Sequence, residues 1–273
     1  MNNIIEMFSY AFMVRAFIVG TLISLCASLI GVSLVLRKNS MIGDGLSHVG
    51  FGAFSIATIL GFSPIEFSIP VVVIVSFLIL KLNDSNKIHG DSAIALISAS
   101  SLAIGTFLVS IVKGVNTDIN NYLFGSILSL NNTDVLLSII LSILIMLLYI
   151  ISYNKIFAIT FDERFSKGIG INTNFYNMIF ASLCSIVIVL GMRLMGALLI
   201  SSLIIFPTIS SMQYFKSFKS VVISSAFIGV LSFIVGLIIS YSFETPTGST
   251  IVIINLIMLL LFKVINYLRI RRI

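Results

Sequence analysis

Uncharged apolar runs recur from one end of this chain to the other, and each approaches the length of about 20 residues that a helix needs to cross a bilayer. Inside hydrocarbon every backbone N–H and C=O must find a partner within the protein, so continuous runs of this kind are helices. Of the 273 residues 58% are hydrophobic and 10% charged, with mean hydropathy +1.17, more apolar surface than a soluble domain of this length can hide. The expected fold is all-α: a polytopic membrane helical bundle of about nine transmembrane helices forming one domain over residues 1–273. The spans are placed at 16–36, 46–62, 67–80, 92–112, 135–153, 175–190, 194–214, 221–241 and 250–267.

The N-terminus carries Glu6 and no basic residue before Arg15, unlike the start of a cleaved signal peptide, so the first run is expected to be retained. Placing the loop after Leu36 in the cytoplasm leaves only Arg15, Lys113 and Arg193 of the 16 basic residues outside. Cytoplasmic loops carry such an excess, and the orientation follows. Lys87 and Lys216 are then cytoplasmic. The scattered basic residues of a +6 chain therefore report topology and not a nucleic-acid partner. The outer face becomes acidic, which would concentrate cations, although the basic bias alone produces much of that asymmetry.

Two spans carry special features. Pro70 falls in the first turn of a short span, and Pro207 lies inside the seventh, where it removes a donor and should kink the helix while a neighbour satisfies the freed carbonyl. The outer stretch 122–130, bracketed by asparagines, is too short to cross and reads as interfacial or re-entrant. Cys26 and Cys184 each stand alone in an apolar run, where a thiol packs as a small hydrophobe.

The segment 37–52, RKNSMIGDGLSHVGFG, holds the residues best suited to chemistry. Asp44 and His48 are four apart, so on a helix they share one face. A carboxylate beside an imidazole suits zinc, manganese or ferrous iron, and ionisable groups at membrane depth face protein or a water-filled path. The plainer alternative is that Asp44 caps the helix and His48 makes an interhelical hydrogen bond. Gly43, Gly45, Gly50 and Gly52 would let helices approach closely. His89 sits in a charged loop and reads as a solvated surface residue.

The longest cytoplasmic loop contains KIFAITFDERFSKGIGIN. Phe157, Phe161 and Phe165 recur every four residues, opposite Asp162, Glu163, Arg164 and Lys167, which describes a short amphipathic helix ended by Gly168 and Gly170. It could lie on the membrane or be presented to a cytoplasmic partner; periodicity alone serves both uses equally.

With these stretches in hand, the chain resembles a permease of the manganese, zinc and iron ABC importer family over nearly its whole length. The resemblance rests on Gly31 and Arg37, MIGDGLSH (41–48), LFGSILSL (123–130), FDERFSKGIGI (161–171), GALLISSLIIFP (196–207) and TPTGSTIV (245–252), with Gly45 where the family more often has alanine. It implies a type II importer fold in the bacterial cytoplasmic membrane, working as a homodimer or pseudo-dimer. An extracytoplasmic metal-binding lipoprotein would feed it, and two ATPase subunits would drive it. By the same resemblance Asp44 and His48 lie in the translocation pathway. Residues 161–171, with Phe161, Asp162, Glu163, Arg164, Phe165 and Gly170, form the coupling helix that docks on the ATPase. The transported metal is then the substrate, and no bound cofactor is expected.

No G-x-x-x-x-G-K-[ST] occurs, so this chain is not expected to hydrolyse ATP itself. A secondary metal cation transporter using Asp44 and His48 without an ATPase is the alternative. An intramembrane aspartyl enzyme would need two facing aspartates, and the remaining aspartates read as loop or loop-edge residues.

Overall fold

The computed structural model describes residues 2–84, 90–111 and 131–271, and among these residues the only regular structure is helical. In chain order the helices are α1 (Asn2–Ser9), α2 (Ala11–Leu36), α3 (Met41–Leu60), α4 (Pro64–Asp84), α5 (Gly90–Ile111), α6 (Asn132–Phe161), α7 (Glu163–Gly168), α8 (Thr173–Met195), α9 (Ala197–Tyr214), α10 (Phe218–Phe243) and α11 (Thr247–Ile270). Each of the nine predicted spans corresponds to one long helix. Lys87, His89, Lys113, the stretch 122–130 and its LFGSILSL motif lie outside the described residues.

Seven of the long helices are long and apolar enough to cross a membrane on their own. The two that fall short are α3, of 20 residues, and α9, of 18. Both are interior helices: α3 packs on α4, α5, α8 and α9, while α9 packs on α2, α3, α8, α10 and α11. Covered by neighbours, they need not match lipid along their whole length. By contrast α5 and α11 turn large apolar residues outward, among them Leu96, Ile104, Phe107, Ile253, Leu256 and Leu260, as lipid-facing helices do.

Helix α2 occupies the centre, against α6, α8, α9 and α10. Gly31 permits this, because a Cβ there would collide with the backbone carbonyl of Ile204 on α9. Close by, Pro207 leaves the carbonyl of Leu203, four residues earlier, without its helical donor. The Ser28 hydroxyl of α2 donates to that oxygen at 3.5 Å, so a neighbouring helix supplies the missing partner. Ser225 of α10 in turn donates to the carbonyl of Ser28 at 3.2 Å and pairs with Thr208 at 3.2 Å. Three helices are thus tied together around the proline. Cys26 and Cys184 are both buried and free, as packing residues would be.

Three local readings need correction. Helix α1 was not foreseen, and it packs on α2 through contacts such as the edge-to-face pair Phe8 and Phe17, 5.3 Å apart. Helix α4 begins at Pro64, a residue pre-organised for a first helical position, so Pro70 lies in its second turn. Helix α6 runs on past the predicted end at 153 to Phe161, because Ile156 and Ile159 remain buried against the protein where Asn154 and Lys155 face out.

Candidate metal site

Helix α3 begins at Met41 after Ser40, whose side chain makes no capping bond. Asp44 lies one turn inside and does not cap either. Its Oδ2 instead stands 3.6 Å from Nε2 of His48, at the expected i, i+4 spacing. That distance is an electrostatic contact, beyond hydrogen-bond range. The His48 side chain is 20% exposed and that of Asp44 43%. Nδ1 of His48 is buried with no hydrogen-bond partner among the described residues. A buried ring nitrogen left unpaired is costly unless a proton donor, a water or a metal takes it.

Asp44 faces a cavity of about 450 Å³ walled by α3, α9, α11 and the end of α8. It is the one charged residue in that lining; Ser201, Ser202 and Ser249 add hydroxyls, and Leu199 and Phe206 are apolar. The wall turns at Gly196, where φ is 87° and ψ 159°, a conformation open essentially to glycine alone. Gly196 therefore lets α9 start directly where α8 stops, placing Met195 and Leu199 on the same cavity.

One carboxylate and one imidazole give two ligands, and a transition-metal dication usually takes four or more. Among the described residues no group of three or more His, Cys, Asp and Glu side chains comes together. To hold a metal the pair needs further donors, such as water or the cavity hydroxyls.

The segment 161–171 is placed differently from the sequence expectation. Phe157 and Phe161 belong to the end of α6, where both rings pack on Phe218 of α10, at 5.0 and 6.0 Å. Asp162 breaks the helix with extended backbone, φ −151° and ψ 101°, and its Oδ1 accepts a hydrogen bond from the Phe165 N–H at 2.8 Å. The short helix is thus α7, Glu163–Gly168, and Asp162 is its N-cap instead of a residue on its polar side. Glu163 and Lys167 pair at 2.9 Å. Phe165 and Ile169 are exposed, while Ser166 is buried and Gly170 takes φ 87°. Arg164 is exposed. The result is a knob with an apolar tip and charged flanks.

A second charged pair escaped the sequence reading. Arg193 Nη2 of α8 lies 3.8 Å from Asp134 Oδ2 of α6, with side chains 19% and 17% exposed. The guanidinium also sits 6.0 Å from the centre of the Phe54 ring on α3. Residues so distant in sequence give no spacing signal. Only the positive-inside partition, which put both near the outer ends of their spans, hinted at proximity.

This helical layout is shared with known proteins. The chain is similar to the manganese import system permease protein ScaB of Streptococcus gordonii, 30% identical over 92% of this chain and 90% of that one. It is similar to the high-affinity zinc uptake system membrane protein ZnuB of Haemophilus influenzae, 29% identical over 91% and 96%. Among solved structures it superimposes on a chain of PsaBC from Streptococcus pneumoniae in complex with Fab, with TM-score 0.86 and 29% identity, covering 96% of this chain and 94% of that one. The model of the ABC 3 transport family matches residues 9–266, and the multi-pass membrane protein described here belongs to that family.

Proposed function

We propose that this chain is the permease of an ABC importer for a divalent transition metal, with Asp44 and His48 on the path of the ion. The observation that carries the reading is the Asp44–His48 pair, in which Asp44 borders a cavity with no other charged lining residue and His48 keeps an unpartnered buried imidazole nitrogen. Relatives named for manganese and zinc import support that substrate class, and imidazole with carboxylate serves either metal. A second copy of the chain, facing the same cavity, would supply another carboxylate and imidazole and raise the ligand number to four. A metal-binding protein outside would deliver the ion. The α7 knob, with Phe165 and Ile169 exposed, is the surface for the ATPase, and it favours an ATP-driven importer over a carrier working alone. Uptake of radioactive manganese and zinc by cells carrying the chain with its ATPase tests the proposal. Wild-type uptake by both Asp44→Asn and His48→Ala, at normal membrane abundance, would sink the site.

A further inference from the structure

The turn between α2 and α3 is short and hydrogen-bonded at both ends. Lys38 N–H donates to Val35 O and Asn39 N–H to Leu34 O, at 3.0 and 2.9 Å, with Lys38 in the left-handed region at φ 59°. Ile42 N–H then donates to Asn39 O at 3.1 Å, which starts α3. Little slack separates Arg37 from Asp44. Motion imposed on Arg37 therefore reaches the first turns of α3.

Arg37 is itself held from both sides of the knob. Its Nε donates to Thr160 Oγ1 at 3.2 Å, two residues before the Asp162 cap. Its Nη1 donates to Asn177 Oδ1 at 2.8 Å, early in α8, the helix that follows α7. The guanidinium also stacks over Phe180 of α8, 5.0 Å from the ring centre. Desolvation lowers the Arg37 pKa below its ordinary value and nearby Glu163 of α7 opposes this, but a guanidinium stays charged. Its planar fork can serve two acceptors at once, which a lysine ammonium does less well.

The junction is not fully packed against α3. A small cavity of about 30 Å³ lies among Arg37, Asn39, Ile42, Leu46, Asn177 and Phe180. Ile42 and Leu46 occupy one side of the opening turns of α3, and Asp44 and His48 fall on the other by helical periodicity. We infer that Arg37 is the positioning residue that carries displacement of the α7 knob to α3, and so to the Asp44–His48 pair. This rests on the importer reading above. A merely structural Arg37 would affect abundance and stability. A positioning Arg37 governs how much transport each hydrolysed ATP produces.

The test uses the complete complex of permease, ATPase and metal-loaded binding protein in proteoliposomes, measuring ATP hydrolysis together with manganese and zinc uptake. Arg37→Gln is expected to keep ATPase association and hydrolysis within about twofold while uptake per ATP falls about tenfold. Arg37→Lys should be intermediate. Asn177→Leu removes one acceptor at a half-buried position and covers the case in which Arg37→Gln fails to reach the membrane; its uptake per ATP should fall about threefold. The pair Arg37→Gln with Asn177→Leu should be no worse than Arg37→Gln alone. Unchanged uptake per ATP in Arg37→Gln, or in Asn177→Leu where the former is not produced, would overturn the role. Absence of metal uptake by the wild-type complex would instead overturn the importer reading, and this role with it.

Discussion

Nε2 of His48 stands 3.6 Å from Oδ2 of Asp44, one turn apart on α3, and neither residue caps the helix. Because Asp44 has no capping duty, Asp44→Asn removes charge and little else. Metal uptake should fall by about tenfold, equivalent to about 1.4 kcal/mol, in Asp44→Asn and in His48→Ala. Radioactive manganese and zinc uptake, normalised to membrane abundance, is the measurement.

Asp162 requires a different test from its neighbour. As an N-cap it should cost about 1 kcal/mol of local stability when changed to alanine and much less when changed to asparagine. Hydrogen exchange across 163–171 would show the difference. Glu163→Lys breaks an exposed pair with Lys167, worth about 0.3–0.5 kcal/mol, and removes a negative charge near Arg37 while leaving the Asp162 cap in place. Recovery of the ATPase on co-purification should drop for Glu163→Lys; unchanged recovery would remove this flank from the docking surface.

The Arg193 and Asp134 side chains are mostly buried and pair imperfectly, since Arg193 Nε and Asp134 Oδ2 make no hydrogen bond among the described residues. Removing one partner should be worse than removing both. Arg193→Ala is expected to destabilise the protein by about 2 kcal/mol or more, and Arg193→Met with Asp134→Leu to recover most of that. Thermal melting in detergent reads both.

Ser28→Ala should leave the Leu203 carbonyl without a donor, at a cost of about 0.6–1 kcal/mol. Pro207→Ala restores the helical donor, so in that background Ser28→Ala should be nearly neutral. A double-mutant cycle that finds the two substitutions additive would refute the link.

Much of the bundle was legible because length and apolarity are local properties. Nine runs gave nine long helices, and even the short span with Pro70 formed. The end of α6 was not legible, since Asn154 and Lys155 look like a loop until the burial of Ile156 and Ile159 is known. Helix α1, eight residues long, is too short for its pattern to stand out. At the site, the Asp44–His48 spacing follows from helical geometry. The cavity beside Asp44 depends on α9 and α11, far away in the chain, and the buried Nδ1 depends on packing. The Asp162 cap was hidden because the phenylalanine period ran unbroken across the point where the backbone turns.

The interior position of α3 also constrains how the protein is made. A segment that carries an aspartate in its first turn and a histidine a turn later is poorly suited to leave the translocon alone, since an aspartate at the centre of a span costs about 2.5–3.5 kcal/mol on insertion scales and less near its end. Its natural partners for entering lipid are α4 and α5, which are synthesised after it and pack directly on it. A nascent chain that ends soon after Leu60 should therefore hold α3 at the membrane surface or in the insertion machinery, and integration should complete only when α5 has emerged.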